Sequence, residues 1–526
     1  PVRAVAFYNS SDNPLDMTLH FRDVDLDGRI EVFDMFDGKV TGEFIDCMTL
    51  SVPPHGTRIF RLTGERRLQR VRYEAETAYI SDYQELKNPK AFGTGFYDED
   101  DRCSGGAKAV NLGGKPENDL IWEKVYVNDS GRYDIRVKAL AAEPGTVWID
   151  VNGKKTGKLE FSRDTTMTCK VSLKKGYNII RLHNDTAMMP DIDCIVVIPD
   201  GKDEHNMLDF GKLTVEGRTD YLGCDKPLPR FGWQLLSDRN NQMQLAYRVI
   251  VASDPRMINL AKGDMWDSGK VESDMSQWVP YAGRPLQPDH DYYFRVKVWN
   301  KDGESFWSPV AKWSTGLMEN AGVGAEWIGL DTIQPGDSQQ RHSRLRARYL
   351  RKEFTVDKEI ARATAHVCGL GFYELYINGH KVSDDVLTPA PTGYDKSVIY
   401  NTYDVKSLLN RDNAVGVILG PGYFYAMAQN FETNVRSTFG FPKLWMILSL
   451  EYTDGSRQQI VSDTSWKIST DGPIIYSNIY DGEFYDSRKE MPGWSTIGYD
   501  DSAWQGGRSS RQSEGQPYCA YVYLWS

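Results

Sequence analysis

Short runs of alternating or continuous apolar residues recur along almost the whole chain. Each spans about five to seven residues and is rich in β-branched and aromatic side chains, the pattern of a strand with one or two buried faces. The clearest runs are Ala4–Tyr8, Arg29–Phe33, Thr57–Leu62, Tyr133–Ala139, Val147–Val151, Tyr247–Ala252, Tyr292–Val298 and Tyr373–Ile377. This pattern predicts a protein built mainly from strands.

Asn-Gly and Asp-Gly pairs separate these runs. Asn and Asp tolerate the left-handed backbone that a following glycine completes, so these pairs favour tight hairpins. They stand at Asp27-Gly28, Asp37-Gly38, Asn152-Gly153, Asp302-Gly303, Asn378-Gly379 and Asp454-Gly455. Helical periodicity is nearly absent, and residues 404–409 are one short helical candidate. We therefore predict an all-β fold, a string of four β-sandwich or jelly-roll domains.

Polar stretches without periodicity mark the candidate domain boundaries. They lie at residues 65–67, 199–204 and 319–324, and such stretches are typical of linkers. They divide the chain into residues 1–64, 68–200, 206–317 and 325–515, and we expect residues 516–526 to open a further, missing segment. The four modules are unequal in length, so the chain is not a fixed-period repeat.

Composition narrows the class of protein. The 526 residues include 62 basic and 73 acidic side chains, a net charge of −11, which argues against a nucleic-acid partner. No apolar run reaches the roughly 18 residues of a membrane span. Neither an initiator Met nor a signal-peptide pattern opens the chain, which suggests that its start is trimmed. Its seven cysteines are scattered without a CxxC pair, so they predict neither a zinc site nor a disulfide framework.

Residues 1–64 carry the segments Asp25-Leu26-Asp27-Gly28, Val32-Phe33-Asp34 and Val52-Pro53-Pro54-His55-Gly56-Thr57. They resemble the small C-terminal β-sandwich that follows the catalytic barrel in the α-galactosidase family. The resemblance implies a packing domain without chemistry of its own. It also implies that the barrel with the family's two catalytic Asp residues precedes this segment, outside the chain.

Residues 68–200 resemble a calcium-binding, jelly-roll carbohydrate-binding module. The resemblance follows the order of Tyr73-Glu74-Ala75-Glu76, Ser104-Gly105-Gly106, Gly131-Arg132-Tyr133, Val151-Asn152-Gly153, Lys175-Gly176-Tyr177-Asn178, Asn184 and Asp191-Ile192-Asp193. It implies a structural Ca²⁺ held by Glu74, Glu76 and Asp193. A hard cation prefers several carboxylate oxygens, and residues two apart on a strand point the same way. The alternative is a pair of solvated Glu side chains on an edge strand.

The same resemblance places a sugar site in the loops at one end of the jelly roll. There, aromatic rings meet apolar sugar faces and an Asn binds hydroxyl groups. Asn184 fits the second role, and Tyr97 and Trp122 are candidates for the first. Trp122 lies within the apolar run 120–122, so a core position is the favoured alternative.

Residues 206–317 are similar to the fibronectin-type sandwich at the start of bacterial α-L-rhamnosidases. The similarity rests on segments 213–216, 229–233, 244–249, 266–269, 292–299 and 313–317. Its tryptophans recur at strand positions, which favours a place in the sandwich core over a role as sugar platforms. They are Trp233, Trp266, Trp299, Trp307 and Trp313.

Residues 325–515 resemble the N-terminal β-domain of the same α-L-rhamnosidase family. The matching segments are 326–329, 350–354, 369–379, 400–405, 419–423 and 482–488. In some members of that family a Tyr-Asp-Asn segment binds rhamnose through calcium. Here the segment reads Tyr394-Asp395-Lys396, so Asp395 is the candidate sugar-site residue while Lys396 replaces the amide. Glu483 and Asp486 admit a catalytic reading, but Asp486 beside Arg488 favours a salt bridge or cap.

Catalysis by this chain alone is not expected. Glycoside hydrolysis needs an acid and a second carboxylate on opposite sides of the scissile bond, and the rhamnosidase family supplies them from a helical barrel that follows the β-domain. The chain reaches Ser526 about where that barrel is expected to begin, and it lacks GxSxG, Walker, GxGxxG and HExxH motifs.

We therefore expect a non-catalytic, carbohydrate-binding and scaffolding portion of a multimodular glycoside hydrolase. Its partners would be plant or bacterial polysaccharides or oligosaccharides containing rhamnose, galactose or both, and the missing catalytic domains. The resemblance implies a secreted or periplasmic location. Two alternatives remain: an α-L-rhamnosidase active through its last β-domain, and a structural spacer without ligand.

Overall fold

The computed structural model describes residues 1–83, 93–141, 143–202, 208–237, 240–318, 324–337, 345–394, 396–425, 439–479, 482–509 and 523–525. Of the chain, 52% is strand and 4% is helix, which confirms the predicted all-β class. All eight clearest apolar runs lie within strands. In the described residues no helix has the length and apolar character needed to cross a membrane.

Contacts divide the chain into two compact units. Unit 1 comprises Pro1–Gly211, Gln234–Met275 and Phe294–Val310, and unit 2 comprises Lys212–Trp233, Ser276–Tyr293 and Ala311–Ser526. Each unit therefore takes part of the predicted fibronectin-type region, residues 206–317.

Unit 1 begins with a small sandwich. Its strands are β1 (Val2–Tyr8), β2 (Leu15–His20), β3 (Leu26–Asp34), β4 (Lys39–Ile45), β5 (Cys47–Val52) and β6 (Thr57–Arg67). They form a sheet in the order β1-β6-β3-β4 and a pair β2-β5. Phe7, Ile30 and Leu62 belong to its core. Asp37-Gly38 joins β3 to β4 as predicted, but Asp27-Gly28 lies inside β3, where the register with β6 shifts; Gly28 takes φ +82° there, so this pair makes a bulge instead of a hairpin.

A larger two-sheet sandwich follows in unit 1. Its strands are β7 (Arg72–Glu74), β8 (Tyr79–Ile80), β9 (Phe96–Glu99), β10 (Ala107–Val110), β11 (Leu120–Val127), β12 (Gly131–Leu140), β13 (Gly145–Val151), β14 (Lys154–Phe161), β15 (Thr165–Leu173), β16 (Gly176–His183) and β17 (Asp191–Pro199). One sheet has the order β15-β12-β17-β10-β9 with β7 against β17, and the other has the order β14-β13-β16-β11-β8. Side chains such as Ile135 and Ile195 from the first sheet share one core with Ile149 and Ile180 from the second.

The next strands are β18 (Asp209–Val215), β19 (Arg230–Leu236), β20 (Ala246–Ala252), β21 (Trp266–Asp267), β22 (Val279–Pro280), β23 (Asp291–Asn300), β24 (Gly303–Glu304) and β25 (Ala311–Ser314). One α-helix, α1 (Pro255–Asn259), was not predicted from periodicity. Its start does have a local signal, because Asp254 caps the helix by accepting from Arg256 N and Pro255 occupies the first turn. Of the five tryptophans predicted to lie in the core, Trp233, Trp307 and Trp313 are buried. Trp266 and Trp299 are half-buried.

Unit 2 ends with a second large sandwich. Its strands are β26 (Ile328–Gly329), β27 (Arg348–Thr355), β28 (Ile360–Leu370), β29 (Phe372–Ile377), β30 (His380–Lys381), β31 (Ser397–Ile399), β32 (Asn401–Asp404), β33 (Asp412–Gly420), β34 (Lys443–Tyr452), β35 (Arg457–Val461), β36 (Lys467–Ser469), β37 (Ile474–Asn478), β38 (Gly482–Tyr485), β39 (Gln505–Gly506), β40 (Arg508–Ser509) and β41 (Tyr523–Trp525). The main sheets have the orders β32-β28-β34-β26-β40 and β30-β29-β33-β27-β36-β39. Between them lies a shared core that includes Val367, Leu375 and Leu448. The predicted helical candidate becomes a 3₁₀ turn, Lys406–Leu408.

A buried carboxylate, Asp289, ties the Ser276–Tyr293 segment of unit 2 to strand β28. Arg362 Nη1 and Thr364 Oγ1 lie 2.8 Å and 3.0 Å from its Oδ1, and His366 Nε2 lies 3.3 Å from the same atom. Burial by itself raises the pKa of Asp289, but His366 and Arg362 outweigh it and hold the pKa well below the ordinary value. The ionised carboxylate is therefore part of the folded structure at neutral pH.

Asp289→Asn is expected to destabilise unit 2 by about 2 kcal/mol at pH 7, because the substitution removes the anion that Arg362 and His366 share, while Arg362 keeps its contact with Asp291 at 2.9 Å. A carboxylate with a lowered pKa contributes stability above its unfolded pKa of about 4 and loses it as the pH falls. The difference between variant and wild type should therefore shrink below about pH 4. Denaturant unfolding at pH 7 and pH 3 measures it; the exposed Asp357→Asn is the control, and equal stability of all three proteins at pH 7 would contradict the assignment.

Candidate functional site

Two of the predicted metal-binding carboxylates, Glu74 and Asp193, bring ligand atoms within 4.8 Å of each other in unit 1, in a group whose third member is Cys194 and not Glu76. Glu74 ends β7, Asp193 lies on the neighbouring strand β17, and Glu76 follows in the 3₁₀ turn Ala75–Thr77. Ser104 Oγ bridges the first two, at 2.7 Å from Glu74 Oε2 and 3.1 Å from Asp193 Oδ1. The predicted reason, two Glu side chains on one face of a strand, was wrong, since the strand ends at Glu74 and the turn carries Glu76. We call Glu74, Glu76, Ser104 and Asp193 the acidic cluster.

Glu76 has an unused buried oxygen. Its Oε2 is buried and makes no hydrogen bond within the described part of the chain. Its Oε1 lies so near Gly105 that a Cβ at this position would collide with it. A buried carboxylate oxygen without a donor is costly unless a cation or proton neutralises it, so this oxygen is available to a metal ligand set.

The electrostatics of the acidic cluster also favour a cation. Burial raises the pKa of Glu74, the nearby charges of Glu76 and Asp193 raise it further, and Ser104 and Arg72 offset part of this. Lys138 Nζ lies 2.5 Å from Asp193 Oδ2. Lys138 and Arg72 do not balance the three carboxylates, so the cluster keeps a net negative charge that a cation would neutralise.

Cys194 also reaches the acidic cluster, since its Sγ lies within 4.8 Å of ligand oxygens of Glu74 and Asp193. Burial raises the pKa of its thiol to about 12, so the thiol is neutral at physiological pH. A neutral thiol is a poor ligand, and the remaining oxygen donors suit a hard cation such as Ca²⁺.

A second group, Asp119, His183 and Asp185, also brings ligand atoms within 4.8 Å of one another. Arg181 supplies the positive charge there: its Nε donates to Asp119 Oδ2 at 2.7 Å, and its Nη1 lies 3.1 Å from Asp150 Oδ2. The guanidinium group of Arg181 is therefore the cation that pairs with the carboxylates at this position.

Asn184, the predicted binder of sugar hydroxyls, is buried with 4% of its surface exposed. Its Nδ2 donates to Thr146 O at 3.0 Å, and its Oδ1 accepts from the backbone N–H groups of Thr186 and Ala187 at 3.2 Å and 3.1 Å. These bonds fix the turn that follows β16. Both polar atoms of the Asn184 amide are therefore hydrogen-bonded to backbone groups.

The two predicted aromatic candidates are also engaged internally. Trp122 is 3% exposed and packs in the core, with its Nε1 donating to Glu74 O at 3.1 Å; the core alternative therefore describes its position. Tyr97 is half-buried, stacks on Tyr83 at 6.0 Å between centroids and donates its hydroxyl to Ala78 O. Asp395 lies outside the described residues.

A groove of about 800 Å³ on the β27–β29–β33 face of unit 2 was not predicted as a site. Trp494 packs on this face: its ring centroid lies 5.3 Å from that of Tyr349 and 5.6 Å from that of Tyr376. Gly416 makes room for it, because a Cβ at Gly416 would lie 2.6 Å from the indole. Tyr485, on the hairpin β37–β38, lines the same groove and is 49% exposed. We call this the aromatic groove.

Acidic side chains line the aromatic groove beside the rings. Tyr376 Oη donates to Glu374 Oε2 at 2.8 Å, and Tyr485 Oη donates to Glu490 Oε1 at 2.9 Å. Glu483 lies on the same hairpin and is exposed. Rings that expose apolar faces beside carboxylate acceptors can stack on a sugar and accept hydrogen bonds from its hydroxyls.

The groove is held by a buried arginine. Arg351 is 1% exposed and donates to Trp494 O at 2.9 Å and Thr496 O at 2.9 Å. It also pairs with Glu353 at 2.6 Å. A guanidinium that satisfies several backbone carbonyls fixes the segment bearing Trp494. The sequence signal for this site was the tryptophan at 494, which no motif singled out.

Asp486, the other carboxylate with a possible catalytic role, has a structural role. It caps the 3₁₀ turn Ser487–Lys489 and binds Arg488 through both oxygens, each at 2.8 Å. The hydrogen bonds from Arg488 lower the pKa of Asp486 to about 2. The favoured prediction of a salt bridge and cap is confirmed.

Three family models match the chain. Residues 2–62 match the α-galactosidase C-terminal β-sandwich domain, and residues 210–319 match a Rha78A-like N-terminal immunoglobulin domain. Residues 358–519 match the α-L-rhamnosidase N-terminal domain.

Curated relatives and solved structures agree with these matches. An α-L-rhamnosidase from Formosa agariphila is 36% identical over 318 residues, covering 56% of this chain and 33% of the relative; one from Alteromonas sp. (strain LOR) is 34% identical over 308 residues, covering 57% and 33%. The structure of an α-L-rhamnosidase from Dictyoglumus thermophilum matches with a TM-score of 0.54 and 37% identity, covering 62% of this chain and 36% of that one. The chain thus spans about a third of the length of the relatives it matches. Residues 210–319 and 358–519 are thus similar to N-terminal domains of α-L-rhamnosidases, and residues 2–62 are similar to the C-terminal β-sandwich of α-galactosidases.

Proposed function

We propose that this chain is the non-catalytic, carbohydrate-binding and scaffolding portion of a multimodular glycoside hydrolase that acts on rhamnose- and/or galactose-containing glycans. The aromatic groove is the observation that carries this proposal. Together with the matched α-L-rhamnosidases, it supports a role in holding plant or bacterial polysaccharides or oligosaccharides for catalytic domains. A secreted or periplasmic location is part of the same proposal.

The chemistry of the groove favours binding over hydrolysis. A glycosidase needs a protonated acid and a second carboxylate across the scissile bond. Asp486 is ionised and bound to Arg488, and Glu490 accepts the hydroxyl of Tyr485. These carboxylates are occupied as acceptors, while the exposed ring of Tyr485 and the edge of Trp494 remain for a sugar ring.

Tyr485→Ala is expected to weaken binding of a rhamnose- or galactose-containing oligosaccharide about tenfold, the effect of losing about 1.4 kcal/mol of ring contact. Titration calorimetry with rhamnogalacturonan and galactan fragments measures the dissociation constants. Phe484→Ala is the matched control, because Phe484 is 53% exposed, does not line the groove and precedes Tyr485 on the same strand.

Two results would contradict the proposal. Equal affinities for wild type and Tyr485→Ala, or no binding of any such fragment, would favour a spacer. Release of nitrophenol from an aryl α-L-rhamnoside that Glu483→Gln abolishes would instead favour an enzyme acting through the last β-domain.

We further propose that the acidic cluster holds a structural Ca²⁺ through Glu74, Glu76 and Asp193. The unsatisfied Oε2 of Glu76 and the excess of negative charge in the cluster support this assignment. Bound there, the ion would neutralise the carboxylates and link β7 to β17.

Calcium is expected to raise the melting temperature of unit 1, and a chelator to lower it, because only the folded state assembles the three ligands. Differential scanning calorimetry with CaCl₂ and with EDTA tests this. Glu76→Gln should abolish the calcium shift, while the exposed Glu99→Gln should preserve it; a shift of the same size in Glu76→Gln would refute the assignment.

Asn184→Ala is expected to destabilise unit 1 by about 1 kcal/mol, because the substitution removes the hydrogen bonds that the Asn184 amide makes with Thr146 O and with the N–H groups of Thr186 and Ala187. Asn184→Asp keeps the acceptor oxygen and should cost less. Unfolding measurements compare the two variants. If Asn184→Ala instead leaves stability unchanged and weakens sugar binding, Asn184 is the sugar ligand that the sequence predicted.

A further inference from the structure

A second groove, in unit 1, has a chemistry unlike that of the aromatic groove. Its volume is about 610 Å³, and strands of the first sandwich and of the jelly roll both supply its walls. We call it the arginine groove, and its lining includes Arg3, Asp25, Arg67, Arg70, Tyr79 and Tyr177.

The guanidinium groups in the arginine groove outnumber the carboxylates that pair with them. The guanidinium groups of Arg3, Arg67 and Arg70 share one carboxylate, Asp25, at 3.5 Å, 3.6 Å and 2.9 Å. Within the described residues, no other carboxylate forms an ion pair with these three arginines. One Asp cannot balance three guanidinium groups, so two positive charges remain in a chain whose net charge is −11.

The backbone and the neighbouring rings fix these arginines in place. The guanidinium of Arg67 lies 4.5 Å from the ring centroid of Tyr126 and 4.6 Å from that of Tyr177, and it also donates to Tyr177 Oη. Arg70 Nη2 donates to Asp23 O at 3.2 Å. Leu68 N donates to Asp25 O at 3.1 Å, which holds the shared carboxylate. Pre-ordered side chains lose little entropy when a ligand binds.

Exposed tyrosine rings accompany the charge. Tyr79 is 55% exposed and Tyr177 is 48% exposed, and both line the groove. Such rings give a flat apolar surface and a hydroxyl, which suits the face of a sugar ring. A neutral sugar would leave the arginine excess unused, and the chain's negative charge opposes a long polyanion such as a nucleic acid.

We propose that the arginine groove binds an acidic oligosaccharide through the carboxylate of a uronic acid residue. The planar fork of arginine donates two parallel hydrogen bonds to a carboxylate, and Arg3 and Arg70 have donor capacity left after their contacts with Asp25. The sugar ring bearing that carboxylate would lie against Tyr79 or Tyr177. This site is separate from the aromatic groove, and the inference stands whether or not that groove binds a glycan.

Titration calorimetry of the whole chain with trigalacturonate, galactotriose and galactose 6-sulfate tests the inference. Trigalacturonate is expected to bind at least tenfold more tightly than galactotriose, and added salt should weaken its binding because the contact is ionic. Arg3→Gln should weaken it about tenfold. Arg29→Gln is the matched control, since Arg29 is a half-exposed arginine of the same sandwich outside this groove.

Further measurements distinguish a failure of this proposal from a misfolded variant and from a failure of the aromatic groove. Tyr485→Ala should leave trigalacturonate binding unchanged, because that residue belongs to the other groove, and melting temperatures verify that each variant folds; Arg70→Gln replaces Arg3→Gln if the latter does not. Equal affinity for the acidic and neutral trisaccharides, or no effect of either arginine variant, would overturn the proposal. So would galactose 6-sulfate or inorganic sulfate binding as tightly as trigalacturonate, since the site would then select any anion.

Discussion

The Asp289 carboxylate is the interaction on which unit 2 depends most. Its Oδ1 lies against Arg362, Thr364 and His366 on β28, and β28 contributes to the core behind the aromatic groove. A half-buried carboxylate, Asp225, joins further segments of unit 2 through neutral donors: Tyr400 Oη donates to its Oδ1 at 2.7 Å, and Met318 N donates to the same atom at 2.9 Å. Unpaired ions are too costly to bury, so these pairs select one arrangement of the strands.

The sequence predicted the strands well because their signal is local. A strand needs only alternating or continuous apolar residues, and a hairpin needs only a residue pair that accepts positive φ. Asn152-Gly153 and Asn378-Gly379 do turn the chain between paired strands, with φ of 50° and 77° in the first and 51° and 84° in the second. Asp27-Gly28 shows the limit of this reasoning: the same dipeptide chemistry suits a bulge, and only pairing with β6 decides between the two.

The site residues were harder to predict because binding depends on which groups the fold leaves unsatisfied. Asn184 has the right chemistry for a sugar ligand, but the turn after β16 uses both ends of its amide. Glu76 was a predicted metal ligand, but only the structure shows that its Oε2 is buried without a hydrogen-bond donor. Trp494 and the arginines around Asp25 carry no motif; they come together through contacts between residues more than twenty positions apart.

The aromatic residues in the cores and those in the two grooves differ in what surrounds them. Trp122, Trp233 and Trp313 are enclosed by apolar side chains and stabilise cores, whereas Tyr177 and Tyr485 keep about half of their surface exposed. Carboxylates flank the ring of Tyr485, and a guanidinium flanks that of Tyr177. Acceptor groups suit the hydroxyls of a neutral sugar, and donors suit an acidic one.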